Sequence, residues 1–313
     1  MLAVISRQYG GPEVLSLEET EAPRPGADQV LVEVKASSIN PVDNKIRQGD
    51  FKMLTGKQPP AILGGDFAGV VIDAGPQAGL QPGDEVFGLT NYFKGGAFAQ
   101  QLVAGPEMVA LKPKNLSFAE AAALPLTGQT ALQALVSQAK IKHGERVLVN
   151  GCGGGVGVMA LQVAKAYGSM ISGVCSQGKF ELARSLGAAD LIDYQKGPLP
   201  SLLAEYDLIF DCIGNLPFGP AQKHLAHGGR YVSTQAGLLG MLWLPPRNLV
   251  FAKKRLQVMV ESRLKDLNQL ALWVEEGTLR PVIAQVYPFT EVLQAVQASE
   301  EGHVAGKLVL TWD

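Results

Sequence analysis

Gly151-Cys152-Gly153-Gly154-Gly155-Val156-Gly157 lies between an apolar strand and an apolar helix, and its reading decides the fold. Ahead of it, Glu145-Arg-Val-Leu-Val-Asn150 is a short β-rich run that follows the turn signal His143-Gly144. Behind it come Met159, Leu161, Val163 and Ala164, and Gly168 closes the segment. Strand, glycine loop and helix in that order set free backbone N–H groups and the positive end of a helix dipole against a phosphate. A Cβ would hold a diphosphate away, so glycine is needed at the closest approach. The spelling departs from G-x-G-x-x-G, because Val156 occupies the sixth place. An ordinary tight βα turn is the alternative, but strand and helix context favours a dinucleotide site.

A chain of 313 residues is long enough for two domains and a large core. A formal net charge of −2 gives no electrostatic reason to expect nucleic acid or an anionic membrane surface. Lys253-Lys254-Arg255 is the only basic triplet, and a solvated loop or helix end accounts for it. The opening Met1-Leu2-Ala3-Val4-Ile5 is soon interrupted by Arg7, so no signal peptide is expected, and no apolar run is long enough to span a bilayer. Cys152, Cys175 and Cys212 are far apart in sequence and form no C-x-x-C pair. That usage fits a reducing cytoplasm rather than a disulfide framework.

Three regions follow along the chain. Up to about residue 124, short β-like runs such as Gln29–Val34, Phe67–Ile72 and Asp84–Phe87 are bounded by Gly, Pro or Asp turns. From 125 to 262 strands and helices alternate, with candidate strands Val147–Asn150, Ile171–Cys175, Leu191–Asp193, Leu208–Cys212 and Tyr231–Thr234. Repeated βα units imply an α/β fold with a doubly wound parallel sheet. From 263 to 313 the rhythm changes to a helix over Leu264–Glu275, another after Pro288-Phe-Thr, and a final strand Lys307–Thr311. This tail is expected to fold back onto the first region.

These residues resemble the medium-chain dehydrogenase/reductase superfamily, in its zinc-independent quinone oxidoreductase-like branch. The landmarks are Tyr9-Gly-Gly-Pro-Glu-Val-Leu15, Ile39-Asn-Pro-Val-Asp43, Leu63-Gly-Gly-Asp-Phe-Ala-Gly69 and Ala123-Leu-Pro-Leu-Thr-Gly-Gln-Thr130. After the glycine loop come Leu186–Tyr194, Gly228-Gly-Arg230 and Gly302-His303 with Gly306-Lys307. The resemblance covers essentially the whole chain. It implies a discontinuous GroES-like catalytic domain, residues 1–124 and 263–313, and a Rossmann domain, residues 125–262, with the active site in the cleft between them.

Zinc-dependent relatives take Cys and His ligands from the first domain and carry Gly-His-Glu where this chain has Gly65-Asp66-Phe67. No cysteine precedes Cys152, so neither a catalytic Cys ligand nor a four-cysteine lobe can be built there. His224 and His227 share the spacing of one helix face, where favourable charge at a helix C-terminus is the simpler reading. No metal is expected. Without a Lewis acid, oxidation of an unactivated alcohol lacks a means to stabilise the alkoxide.

Cofactor choice rests on the end of the second Rossmann strand. An acid there would bind a ribose 2′-hydroxyl and select NAD. The chain instead reads Val174-Cys175-Ser176-Gln177-Gly178-Lys179. Ser176 can donate to a 2′-phosphate and Lys179 can neutralise it, which points to NADPH; the alternative is that Ser176 caps the next helix and Lys179 faces solvent. The resemblance adds Tyr194 to this site. Gly151, Gly154, Gly155 and Val156 form the phosphate loop, and Thr127, Ile213 and Gln235 complete the residues assigned to the cofactor, together with Asn40.

An electron-poor acceptor, a quinone or an α,β-unsaturated carbonyl, needs no metal. The resemblance places Asn40 near nicotinamide and substrate, where its amide can donate to a carbonyl oxygen; fixing the turn before Pro41 is its plainer role. Asp43 and Lys45 are candidates for positioning or proton relay. Phe51 stands where some enoyl reductases carry a tyrosine, so that proton donor is missing and acyl-thioester reduction is disfavoured. Phe51, Tyr92, Phe93 and the apolar segment Leu238–Pro246 are candidate walls of a hydrophobic pocket. Leu256–Val260 is strand-like and suits pairing across a two-fold axis in a homodimer. The competing reading is a catalytically silent NADPH-binding structural or regulatory protein.

Overall fold

The computed structural model describes residues 1–198, 204–235 and 252–312. The chain divides into two compact units, Met1–Gln129 with Glu261–Asp313, and Thr130–Val260.

In the first unit, Val30, Val32 and Val34 alternate with Leu31, Glu33 and Lys35, and burial alternates with them. From Ala36 to Ile39 every residue is buried, so the expected run Gln29–Val34 continues as one strand, Val30–Ile39. Ser37 and Ser38 can continue it because the neighbouring strand supplies acceptors: their hydroxyls donate to Asp66 O and Asp66 Oδ2, each at 2.6 Å. The sheet runs Ile283–Pro288, Lys307–Thr311, Val30–Ile39, Asp66–Ala74, Glu85–Leu89, Val109–Leu111, with Gln101–Ala104 also pairing with Val30–Ile39. The tail does return to this region: Leu308 to Thr311 pair antiparallel with Ile39 to Ala36.

Asn40 then turns the chain into the helix Pro41–Gln48. Pro41 has no N–H to leave unsatisfied at a first helical position, and Gly49 ends the helix at φ 92°, a left-handed conformation that favours glycine. Inside this unit Ile46, Leu63, Phe98, Phe289 and Leu310 share one buried cluster, and Trp312 stacks on Phe289 at 4.0 Å. The helix Leu264–Glu275 has the expected bounds, and the helix Val292–Glu301 follows Pro288-Phe-Thr as expected.

The second unit carries a six-stranded parallel sheet in the order Asp190–Asp193, Met170–Cys175, Arg146–Asn150, Tyr206–Asp211, Leu225–Ser233, Lys254–Gln257. By chain order that is third, second, first, fourth, fifth and sixth, the doubly wound order whose reversal point faces a nucleotide. One expectation needs correcting. His224 ends a short 3-10 turn and His227 lies within the strand Leu225–Ser233, so the two do not share a helix face. That strand begins earlier than Tyr231 because it accommodates Gly228, at φ 76°. Among the described residues no helix is long and apolar enough to cross a membrane.

Candidate functional site

In the second unit the strand Arg146–Asn150 runs into Gly151 at φ 82°, and the helix Gly155–Ala166 begins after Gly154. No side chain caps that helix, so its first N–H groups have no side-chain acceptor. The glycines serve different ends. A Cβ on Gly157 would come within 2.1 Å of Gly151 O, so Gly157 permits the helix to pack on the loop. A Cβ on Gly154 would meet nothing closer than 3.6 Å, and the space it leaves is open. The loop therefore keeps a methyl-sized cradle at a helix N-terminus, which fits a phosphate.

Ser176 follows the second strand and precedes the 3-10 turn Gln177–Lys179, and its side chain makes no capping hydrogen bond. The Lys179 stem crosses Gly153, whose Cβ would lie 2.5 Å from Lys179 Cδ. Burial lowers the Lys179 ammonium below the ordinary lysine range, with Cys175 and Cys152 acting against it. Tyr194 opens a 3-10 turn and is 38% exposed. Ile213 is half exposed and lies over Gly151, whose Cβ would approach Ile213 Cγ1 to 2.5 Å; Gln235 Nε2 donates to Ile213 O at 3.1 Å. The fold thus gathers Gly151, Ile213 and Gln235 in one place, and Gly153 and Lys179 in another.

Asp211 organises this edge, and pattern reasoning missed it. Its carboxylate accepts from Asn150 Nδ2 at 2.9 Å, Gly214 N at 2.8 Å, Ile213 N at 3.2 Å, Leu216 N at 3.2 Å and the Tyr231 hydroxyl at 3.1 Å. A fully buried carboxylate is tolerable when so many donors face it. The only sequence signal was an acid directly after the apolar run Leu208-Ile-Phe210.

The first unit holds a second polar centre, at the junction of Val30–Ile39, Asp66–Ala74 and Lys307–Thr311. Asn40, Asp43, Asp66 and Lys307 are all buried. Asp66 Oδ2 accepts from Ser38 Oγ at 2.6 Å and Asn40 Nδ2 at 2.9 Å, and Asp66 Oδ1 from Leu126 N at 2.7 Å. Lys307 Nζ donates to Ile39 O at 2.8 Å and to Asn40 Oδ1, and lies 3.6 Å from Asp66 Oδ2. Burial lowers the Lys307 ammonium, and Asp66 and Asp43 raise it. Lys307 was visible only as the second half of Gly306-Lys307, and Asp66 only as a place lacking histidine.

This geometry bears on Asn40. Its amide oxygen faces Lys307, and its nitrogen faces Asp66 Oδ2 and Ser38 O, the latter at 3.4 Å. Donation to an acceptor carbonyl would require the amide to release one of them. Asp43 Oδ2 accepts from Asn40 N at 2.8 Å, while Asp43 Oδ1 is buried without a hydrogen-bond partner. Desolvation pushes this carboxyl up to about 7; the Asn40 N–H and Lys307 act against it, and Asp66 adds to it. Thr127 Oγ1 donates to Ala123 O at 3.0 Å, within its own helical turn. Phe51 packs edge-on to Phe93 at 5.4 Å, and Tyr92 lies 4.6 Å from Phe93, so the three rings cluster. Leu238–Pro246 lies outside the described residues.

Residues 26–126 match the family described as "Alcohol dehydrogenase GroES-like domain", and residues 186–310 that described as "Zinc-binding dehydrogenase". A 2-methylene-furan-3-one reductase of Solanum lycopersicum is 38% identical over 96% of this chain and 76% of its own length. An NADPH-dependent alkenal/one oxidoreductase of Arabidopsis thaliana, chloroplastic, is 37% identical over 99% of this chain and 79% of its own. The solved quinone oxidoreductase of Coxiella burnetii superposes with a TM-score of 0.90 at 31% identity, covering 100% of this chain and 99% of that one. The chain belongs to the quinone oxidoreductase-like branch of the medium-chain dehydrogenase/reductase superfamily.

The residues present do not suit the zinc that one of these family descriptions names. Among the described residues no three His, Cys, Asp or Glu side chains are placed to hold a metal ion. At Asp66 both carboxylate oxygens already face donors of the fold. All three cysteines belong to the second unit.

Proposed function

We propose that this protein is a zinc-independent, NADPH-dependent oxidoreductase that reduces quinones or α,β-unsaturated carbonyl compounds. The observation that carries the reading is the cradle at the Gly154–Gly155 helix start with Ser176 and Lys179, and no acid, after the neighbouring strand. The alkenal/one, furanone and quinone acceptors in the relatives' names support the same acceptor class. When bound, the cofactor supplies a hydride to an electron-poor carbon or quinone.

The chain's own residues do the rest. Backbone N–H groups of Gly154, Gly155 and Val156 hold the diphosphate, and Ile213 and Gln235 border it. Ser176, Lys179 and Tyr194 hold the 2′-phosphate, which charge-assisted bonds favour over a hydroxyl. Thr127 is assigned to the nicotinamide. Asn40 serves as a positioning residue, its amide engaged at both ends. Asp43 holds a proton up to about neutral pH, on a carboxyl whose Oδ1 has no partner within the fold. Three free thiols suit a reducing compartment such as the cytoplasm, and a homodimer through the edge of the six-stranded sheet is the proposed assembly.

The test follows NADPH and NADH oxidation with 9,10-phenanthrenequinone, a naphthoquinone and methyl vinyl ketone, with and without a zinc chelator. NADPH should be preferred, the chelator should have no effect, and Lys179→Ala should lower kcat/KM for NADPH about tenfold with little change for NADH. Tight NADPH binding with no acceptor-dependent oxidation would assign the silent, cofactor-binding role instead.

A further inference from the structure

Asn40 and Thr127 stand on separate elements, yet one buried carboxylate, Asp66, holds the turn of each. Strand order brings it there. Ser38 pairs with Asp66 on one side of its strand, and Ile39 pairs with Leu308 on the other. Asn40 therefore leaves the strand between an anion, Asp66, and a cation, Lys307.

The two oxygens of Asp66 have separate tasks. Oδ1 accepts from Leu126 N at 2.7 Å. Pro125 opens the helix Pro125–Leu132 without an N–H, so Leu126 carries the first donor that this helix presents. An anion suits that positive end, and it fixes the turn on which Thr127 stands. Oδ2 accepts from Asn40 Nδ2 at 2.9 Å and from Ser38 Oγ at 2.6 Å.

Lys307 decides which way round the Asn40 amide lies. Its Nζ is tied to Ile39 O at 2.8 Å and donates to Asn40 Oδ1, so the amide oxygen meets a cation and the nitrogen an anion. Turning the amide over would set oxygen against the carboxylate and nitrogen against the ammonium. Neutral partners would hold the side chain in place but resist that flip far less. A buried ion pair adds little net stability over well-packed apolar residues, so its presence here argues for orientation. The amide's second hydrogen has only Ser38 O, at 3.4 Å, longer than an ordinary N–H···O bond.

We propose that Asp66 is a positioning residue for hydride transfer: it orients the Asn40 amide, with Lys307 setting its sense, and pins the helix turn of Thr127. On the oxidoreductase reading given above, on which this rests, the loosely held amide hydrogen is the one that Asn40 can release to an acceptor carbonyl. The phosphates of NADPH are held by the second unit, so Asp66 governs turnover rather than cofactor affinity.

The experiment uses the full-length parent, Asp66→Asn, Lys307→Met, and Lys307→Met with Asp66→Asn in one chain. It reads denaturant unfolding, NADPH fluorescence titration, and stopped-flow NADPH oxidation with 9,10-phenanthrenequinone and methyl vinyl ketone. Asp66→Asn keeps the shape and an oxygen for Leu126 N but removes the charge that orients the amide. Its hydride-transfer rate should fall about a hundredfold, with the Kd for NADPH within about twofold of the parent's. The double variant should be more stable than Lys307→Met yet stay as slow as Asp66→Asn, and it gives the same answer if Asp66→Asn does not fold. A rate that recovers in step with stability would leave Asp66 a structural role and overturn the proposal. A readout without cofactor is the Asn40 side-chain amide pair in a 1H–15N spectrum, identified by its loss in Asn40→Asp. Its two protons should be well separated in the parent, one bound to a carboxylate and one not, and should draw together in Asp66→Asn; an unchanged pair would overturn the orienting role. A parent that oxidises no NADPH with either acceptor would overturn the oxidoreductase reading and this role with it. A parent that turns over beside an equally fast Asp66→Asn would overturn this proposal alone.

Discussion

Burial lifts the Asp43 carboxyl to about 7, whereas an unfolded chain leaves an aspartate near about 3.9. Below the unfolded value both states are protonated and the full contribution of this group is present. Between the two values the unfolded chain releases its proton and the folded one does not, so this contribution falls as pH rises, by at most about 1.4 kcal/mol per pH unit. Asp43→Asn removes the titration while keeping an oxygen for the Asn40 N–H. Its melting temperature should therefore gain on the parent's between pH 5 and pH 8; a constant or shrinking gap would show that the carboxylate is stabilised in some other way. Lys307 makes the opposite case. Deleting its charge leaves Asp66 buried with three donors but no cation, and breaking one side of a buried pair typically costs about 3–5 kcal/mol. Denaturant unfolding of Lys307→Met should show a loss of that order, and Lys307→Met with Asp66→Asn should recover part of it. Neither residue was legible as a partner of the other. Charge partners far apart in sequence meet only through strand order, and neither Gly65-Asp66-Phe67 nor Gly306-Lys307 carries a period that points across the sheet.

At the level of elements, what the sequence made legible was periodicity and punctuation. The helix Leu264–Glu275 and the strand Lys307–Thr311 have the expected ends because apolar spacing and turn residues agree there. Val30–Ile39 ran longer than expected because two serines read as polar on their own but are satisfied by Asp66 in the sheet. The glycine loop was legible as a unit, whereas the separate work of its glycines depends on contacts no pattern shows. That division gives a sharp expectation. Gly154 has φ −90° and no neighbour closer than 3.6 Å to a Cβ, so Gly154→Ala should melt with the parent but bind NADPH at least about tenfold more weakly. Gly157→Ala places its methyl 2.1 Å from Gly151 O, so it should lose about 1–3 kcal/mol of stability before any ligand is added. Circular dichroism melts and NADPH fluorescence titration of the two proteins separate these effects. Equal behaviour in both assays would mean that the loop does not divide packing from phosphate contact.

For the whole molecule, the alternation of βα units made a doubly wound parallel sheet legible, but neither its strand order nor its sixth strand, Lys254–Gln257. The return of the tail to the first unit was legible only as a change of rhythm. Assembly is harder to read, because it depends on which edges stay unpaired. Lys254–Gln257 is the last strand of the six-stranded sheet and, among the described residues, pairs only with Leu225–Ser233. The last strand of a sheet is the natural template for a second copy of itself. Met259, just past the strand, is 44% exposed, an apolar side chain placed where a two-fold contact would cover it. Val258 beside it is buried, so the backbone direction at the edge is held by the fold. A homodimer formed there should give twice the chain mass in light scattering after size exclusion. Met259→Lys would bring two ammonium groups together across the axis and should shift the population toward monomer without altering the far-ultraviolet spectrum. Since the glycine loop and the Asp66–Lys307 centre each lie within one chain, monomeric Met259→Lys protein should keep its NADPH affinity. Parent protein that runs as a monomer at micromolar concentration would remove the dimer, and a Met259→Lys dimer would move the contact to another face.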